Sequence, residues 1–188
     1  ESSDLEQCQR IQNTLIEGYR ADFGKYSSQT NVRYLQRLYD KAPGLIGQNF
    51  GYIDIDPEWQ SRDIKTAIED LVDASIIYKI KSTTGSALPF SATANDKKFK
   101  LLFVDLGLAS NATSLSADIL MEKDLILLNR GSMAEQFVGQ ELLAYSEHYR
   151  KAHLYYWNRA KGSSTAEVDY LSHVGSMIFP IEVKAGAT

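Results

Sequence analysis

The chain has 188 residues, 44% hydrophobic and 23% charged, which suits a globular protein with one large domain or two small ones. Its net charge of −4 supplies no global attraction to nucleic acid, so any such binding rests on local patches. No run approaches the roughly 18 apolar residues of a membrane-spanning helix, no signal-peptide pattern occurs, and the lone Cys8 excludes an internal disulfide and points to a reducing, cytoplasmic compartment.

The first predicted element is a helix from about Leu5 to Tyr19, with Leu5, Cys8, Ile11, Leu15 and Tyr19 at the spacing of one buried face. A second helix is expected from about Thr30, with Val32, Leu35, Leu38 and Tyr39 inward and Pro43-Gly44 at its end. Asp56-Pro57 is an acidic cap followed by a first-turn proline. It opens a third helix running to about Asp73, with Ile64, Ala67, Ile68, Leu71 and Val72 inward. Two strands, 75–80 and 100–104, flank a Ser/Thr/Ala/Asn-rich loop from Lys81 to Asp96.

Three helices and a two-stranded hairpin describe a winged helix-turn-helix, whose third helix would enter the major groove of DNA. Between Pro57 and Asp73, however, Arg62 and Lys65 face Glu58, Asp63, Glu69, Asp70 and Asp73. A net negative helix approaches phosphates poorly. The hairpin is the better nucleic-acid candidate, through Lys79, Lys81, Lys97, Lys98 and Lys100. The same lysines also suit a solvated edge that blocks strand pairing.

A connector spans 111–124. Beyond it a helix is expected from Gly131 to Tyr149, with Ala134, Phe137, Val138, Leu142 and Tyr145 inward. A three-strand meander follows: Ala152–Trp157, Glu167–Ser172 and Met177–Lys184, with turns at 161–164 and 173–175. Alternation along the last strand sends Met177, Phe179, Ile181 and Val183 to one face and Glu182 and Lys184 to the other. Glu167 and Asp169 share a face one strand earlier. Asp169, Glu182 and Lys184 should then converge at one sheet edge. Such a set suits metal-dependent phosphodiester hydrolysis. Asp169, Glu182 and the Val183 carbonyl hold Mg²⁺, the ion activates a water, and Lys184 orients it or stabilises developing charge. The alternative is an exposed Glu-x-Lys pair on an edge strand.

This pattern resembles the PD-(D/E)XK nuclease-like superfamily, with its restriction-endonuclease core. Over nearly the whole chain it also resembles the C-terminal region of a prokaryotic AAA-type ATPase family, in which a winged-helix segment and a domain of unknown function follow the ATPase. The residues carrying the likeness are Lys100–Leu108, Gly131/Glu135/Val138/Glu141/Leu142, Tyr156-Trp157, Glu167–Tyr170 and Pro180–Lys184. The resemblance implies an α+β fold, with a winged-helix-like segment at 1–110 and a restriction-endonuclease-like α/β domain at 125–188. It implies a helical carboxylate, Glu135, as a further metal ligand. Glu141 is its rival within the apolar stripe, and Glu167 rivals or supports Asp169. It also implies a preceding ATPase domain as partner, and ATP bound there only, because this chain has no G-x-x-x-x-G-K-[ST] loop. Glu1 in place of methionine, and an end four residues after Lys184, suggest a fragment. Two functions are expected from different classes: a Mg²⁺-dependent nuclease module, or an inactive nuclease-like core that binds DNA or a protein. His148, His153 and His173 lack metal-ligand spacing, and Tyr155, Tyr156 and Trp157 suit core packing.

Overall fold

In the computed structural model, which describes residues 2–26, 29–112, 123–146, 153–159 and 166–184, apolar strands from both halves of the chain meet in one sheet. The helices before it are α1 (Ser2–Tyr26), α2 (Gln29–Lys41), the short α3 (Tyr52–Ile55) and α4 (Ser61–Asp73). The hairpin β1 (Ile77–Thr83) and β2 (Asn95–Phe103) follows, then α5 (Leu106–Ala112). The second half supplies α6 (Lys123–Ala144) and the strands β3 (Tyr155–Asn158), β4 (Glu167–Val174) and β5 (Met177–Ile181). The sheet order is β2-β1-β3-β4-β5. All neighbours are antiparallel except β1 and β3, which run parallel. The expected hairpin is therefore no free wing: β1 carries the second-half meander on its other edge.

Alternation along β2 explains the layers. Phe99, Leu101 and Phe103 face a core built with Leu35, Leu38, Ile64, Ile68 and Leu71 from α2 and α4. Leu102 faces the opposite core with Ile80, Tyr156 and Tyr170, against which Val138 and Leu142 of α6 pack. A strand covered on both faces reads as a continuous apolar run, and residues 99–103 are all buried.

Several expected faces differ from those observed. On α1, Cys8, Ile11 and Leu15 are exposed, and Ile16 and Phe23 carry the contact. The helical spacing holds but the buried stripe is rotated: Cys8, Ile11 and Leu15 lie on its solvent flank, while the expected Tyr19 is half-buried against the core. α4 starts at Ser61 because Asp56 is spent on a preceding turn. Its buried carboxylate accepts from the Glu58 N–H at 3.1 Å and from Lys41 at 2.9 Å, and Lys41 holds its carboxyl below the usual range. On α6, Phe137 is exposed, as is Tyr145 just past its end, while Glu135, Gln136 and Gly139 are buried. That helix meets the sheet through polar groups: Gln136 accepts from the Phe103 N–H and donates to its carbonyl, both at 2.9 Å. Met177 and Phe179 are exposed on edge strand β5, whereas Ile181 and Val183 pack inward. The expected turn at 161–164 and His148 lie outside the described residues.

Candidate functional site

The site begins with Lys100. Register pairs it with Ile80 on β1, and alternation places it on the face covered by α6. The side chain is 1% exposed. A buried ammonium needs charged partners, and three carboxylates supply them. Glu135 of α6 accepts at 2.7 Å, Glu167 of β4 is in direct contact, and Asp169 of β4 lies at 3.5 Å. The ammonium also sits 5.2 Å from the centroid of the Tyr156 ring.

Glu135 and Asp169 are each fixed by a further contact. The buried Tyr170 hydroxyl donates to the Glu135 carbonyl at 2.8 Å, fixing that turn of α6. The second oxygen of Asp169 accepts from the Val183 N–H at 2.8 Å. The β4–β5 register, with Tyr170 opposite Ile181, brings the following Glu182 stretch alongside Asp169. Electrostatics oppose one another here. Burial works against the charge on Lys100, yet Glu135 and Glu167 outweigh it and hold the ammonium above the ordinary lysine range. Burial pushes the Glu135 carboxyl up; Lys100 pulls it down, Asp169 and Glu167 push it up, and the net direction is upward.

The predicted site residues therefore divide. Glu135 and Asp169 converge, with Glu167 beside them. Val183 joins through its N–H, on Asp169. Lys184 and Glu182 point to solvent and pair with each other at 2.6 Å. Glu141 is half-buried further along α6. Lys100 is a correction: expected as a nucleic-acid contact, it is buried among carboxylates and out of reach of a phosphate. Its position beside four buried apolar residues was the signal, since a lysine within a doubly covered strand must find internal anions. Lys79 is half-buried and donates to the Tyr52 hydroxyl, with its charge disfavoured by burial. Lys81 pairs with Asp96. Lys97 and Lys98 are exposed and line a groove of about 730 Å³ with Arg62 and Lys65 at the start of α4.

The fit to Mg²⁺ can be judged from this donor set. The carboxylate oxygens are of the right hard type, but they close on an ammonium. Among the described residues no group of three His, Cys, Asp or Glu side chains is placed to hold a metal ion. The arrangement as it stands does not fit a resident Mg²⁺.

A family model described as a domain of unknown function (DUF8612) matches residues 1–119. The chain belongs to the DUF8612 family. A second model, also a domain of unknown function (DUF4143), matches residues 130–188. No curated protein and no solved structure matches the chain. The DUF8612 match ends and the DUF4143 match begins near the expected connector, while the sheet and the Lys100 cluster join the two: Lys100 comes from the first, and Glu135, Glu167 and Asp169 come from the second. Among the described residues no helix is long and apolar enough to cross a membrane.

Proposed function

We propose that this chain is a non-catalytic, nuclease-like module that binds DNA as part of a larger protein with an AAA-type ATPase domain. The observation carrying the non-catalytic choice is the Lys100 ammonium inside the Glu135, Glu167 and Asp169 cluster. Carboxylates engaged by an internal cation are not free to hold the ion that phosphodiester hydrolysis needs. The nuclease-like fold is supported by α6 followed by the β3-β4-β5 meander, with Glu135, Asp169 and Glu182-x-Lys184 in motif order. The winged-helix-like part is supported by α1, α2 and α4 ahead of the β1–β2 hairpin, whose β1 also pairs with β3. DNA binding is supported by the groove between α4 and β2, whose lining carries Arg62, Lys65, Lys97 and Lys98 against Asp54 and Asp96, an excess of two positive charges. The ATPase partner is supported by the common occurrence of DUF4143 alongside AAA ATPases. ATP belongs to that domain, in a cytoplasmic setting.

A second reading, a Mg²⁺-dependent nuclease using Asp169, Glu182, Lys184 and Glu135, is favoured by the Asp169–Val183 hydrogen bond that ties Glu182-Val183-Lys184 to Asp169. Two assays separate the readings. Fluorescence anisotropy with duplex DNA should show binding that weakens with salt and falls about tenfold or more in Lys97→Glu/Lys98→Glu. Supercoiled plasmid with Mg²⁺ or Mn²⁺ should remain intact. Metal-dependent nicking abolished by Asp169→Ala and by Lys184→Ala would establish the nuclease, and absence of DNA binding would remove the DNA-binding assignment.

A further inference from the structure

We propose that Lys100 is an internal counter-cation that keeps divalent metal out of the Glu135, Glu167 and Asp169 cluster. The inference rests on the non-catalytic reading above and gives it a single responsible side chain. Three carboxylates face one ammonium, so the pocket keeps a formal charge of −2 after pairing. That excess in a largely buried site should attract a hard cation of the Mg²⁺ or Mn²⁺ class, which prefers carboxylate oxygens at about 2.0–2.2 Å. The Lys100 nitrogen lies in that space, 2.7 Å from Glu135 and in contact with Glu167. An ammonium and a dication cannot share it.

The lysine also has no easy way out. Its backbone lies within β2, paired with β1, and its neighbours Phe99 and Leu101 are anchored in the opposite core. Withdrawing the side chain means disturbing a central part of the molecule. The carboxylate-bearing backbone, by contrast, is anchored: the α6 turn of Glu135 by the Tyr170 hydroxyl on its carbonyl, and Asp169 by the Val183 N–H on its second oxygen. Removing the ammonium should leave these anchors in place and let the carboxylate oxygens turn toward a common ion. The first-half residue thus controls the ion chemistry of second-half side chains.

The test is Mn²⁺ binding, read by electron paramagnetic resonance, in the wild-type protein, Lys100→Met and the charge-relieved Lys100→Met/Glu167→Gln, with near-UV circular dichroism as the check of folding. Wild type should show no saturable Mn²⁺ site. A folded Lys100 variant should gain one, at least about tenfold tighter than any wild-type binding, and lose it with Asp169→Asn. A folded variant with no gain overturns the proposal while leaving the non-catalytic reading intact. If neither variant folds, wild type decides: saturable Mn²⁺ binding that Asp169→Asn abolishes overturns the proposal, and its absence supports it. Plasmid nicking by wild type is the separate result that overturns the non-catalytic reading.

Discussion

Replacing Lys100 by Met keeps most of the side-chain volume and deletes one charge. At 2.7 Å from Glu135, an effective dielectric of about 20 gives an attraction of about 6 kcal/mol. Desolvation of the two ions offsets much of that, at several kcal/mol each. Removing one partner is the unfavourable case, because Glu135, Glu167 and Asp169 are left facing one another. The expected loss of stability is about 3–5 kcal/mol near neutral pH. The sign of its pH dependence follows from the same charges. Without the ammonium, nothing offsets the burial and the neighbouring carboxylates that push the Glu135 carboxyl up. The variant is therefore relatively stable below the ordinary carboxylate range and loses stability as pH rises through the raised folded value of Glu135. The gap to wild type should narrow on acidification to about pH 5 and below. Urea unfolding followed by circular dichroism, repeated across pH, measures this. A loss under about 1 kcal/mol that does not change with pH would refute the placement of Lys100 in the cluster.

Other expectations come from neighbouring contacts. Gly139→Ala should destabilise by about 1–3 kcal/mol despite alanine's better helix propensity, because its Cβ would sit 2.5 Å from both Leu102 and the Tyr170 hydroxyl; thermal melting would show the opposite shift if α6 stood farther from the sheet. Gln136→Leu removes the pair of hydrogen bonds to Phe103 and leaves buried backbone groups unpaired. It should cost about 2–4 kcal/mol by chemical denaturation, and a near-neutral result would mean that those groups find other partners. At high pH, burial raises Tyr39 and Tyr52 to about 12 and pushes Tyr156 and Tyr170 up as well, while Lys100 is held above its usual range. Raised folded values stabilise below the unfolded pKa and cease to do so as pH rises through the folded ones. The urea midpoint should therefore hold to about pH 10 and then fall; a flat profile to pH 11 would contradict the burial of these groups.

The local elements were legible where pattern and cover agree. α2 and α4 bury the residues their periodicity selected, because each presents one stripe to one sheet face. Glu135 and Asp169 were legible as charges in places that apolar packing does not explain. α6 was misread along its face because Gln136 and Gln140 dock it to the backbone at Phe103 and Leu106, so polar residues hold positions that a hydrophobic stripe would occupy. Pairing of β1 with β3 lies beyond sequence periodicity, since it depends on a long-range parallel contact. Lys100 was misplaced for the same reason. Reading β1 and β2 as a free wing leaves one face wet and a lysine there unremarkable. Once β1 is central and α6 covers it, the same lysine must be buried and must find anions.

The most direct test of the Lys100 cluster is nitrogen-15 NMR of the lysine ammonium groups at neutral pH. One ammonium should exchange its protons slowly, disappear in Lys100→Met, and remain unchanged on addition of saturating Mg²⁺. A spectrum with no protected ammonium, or a protected signal that Mg²⁺ displaces, would contradict a site closed by Lys100.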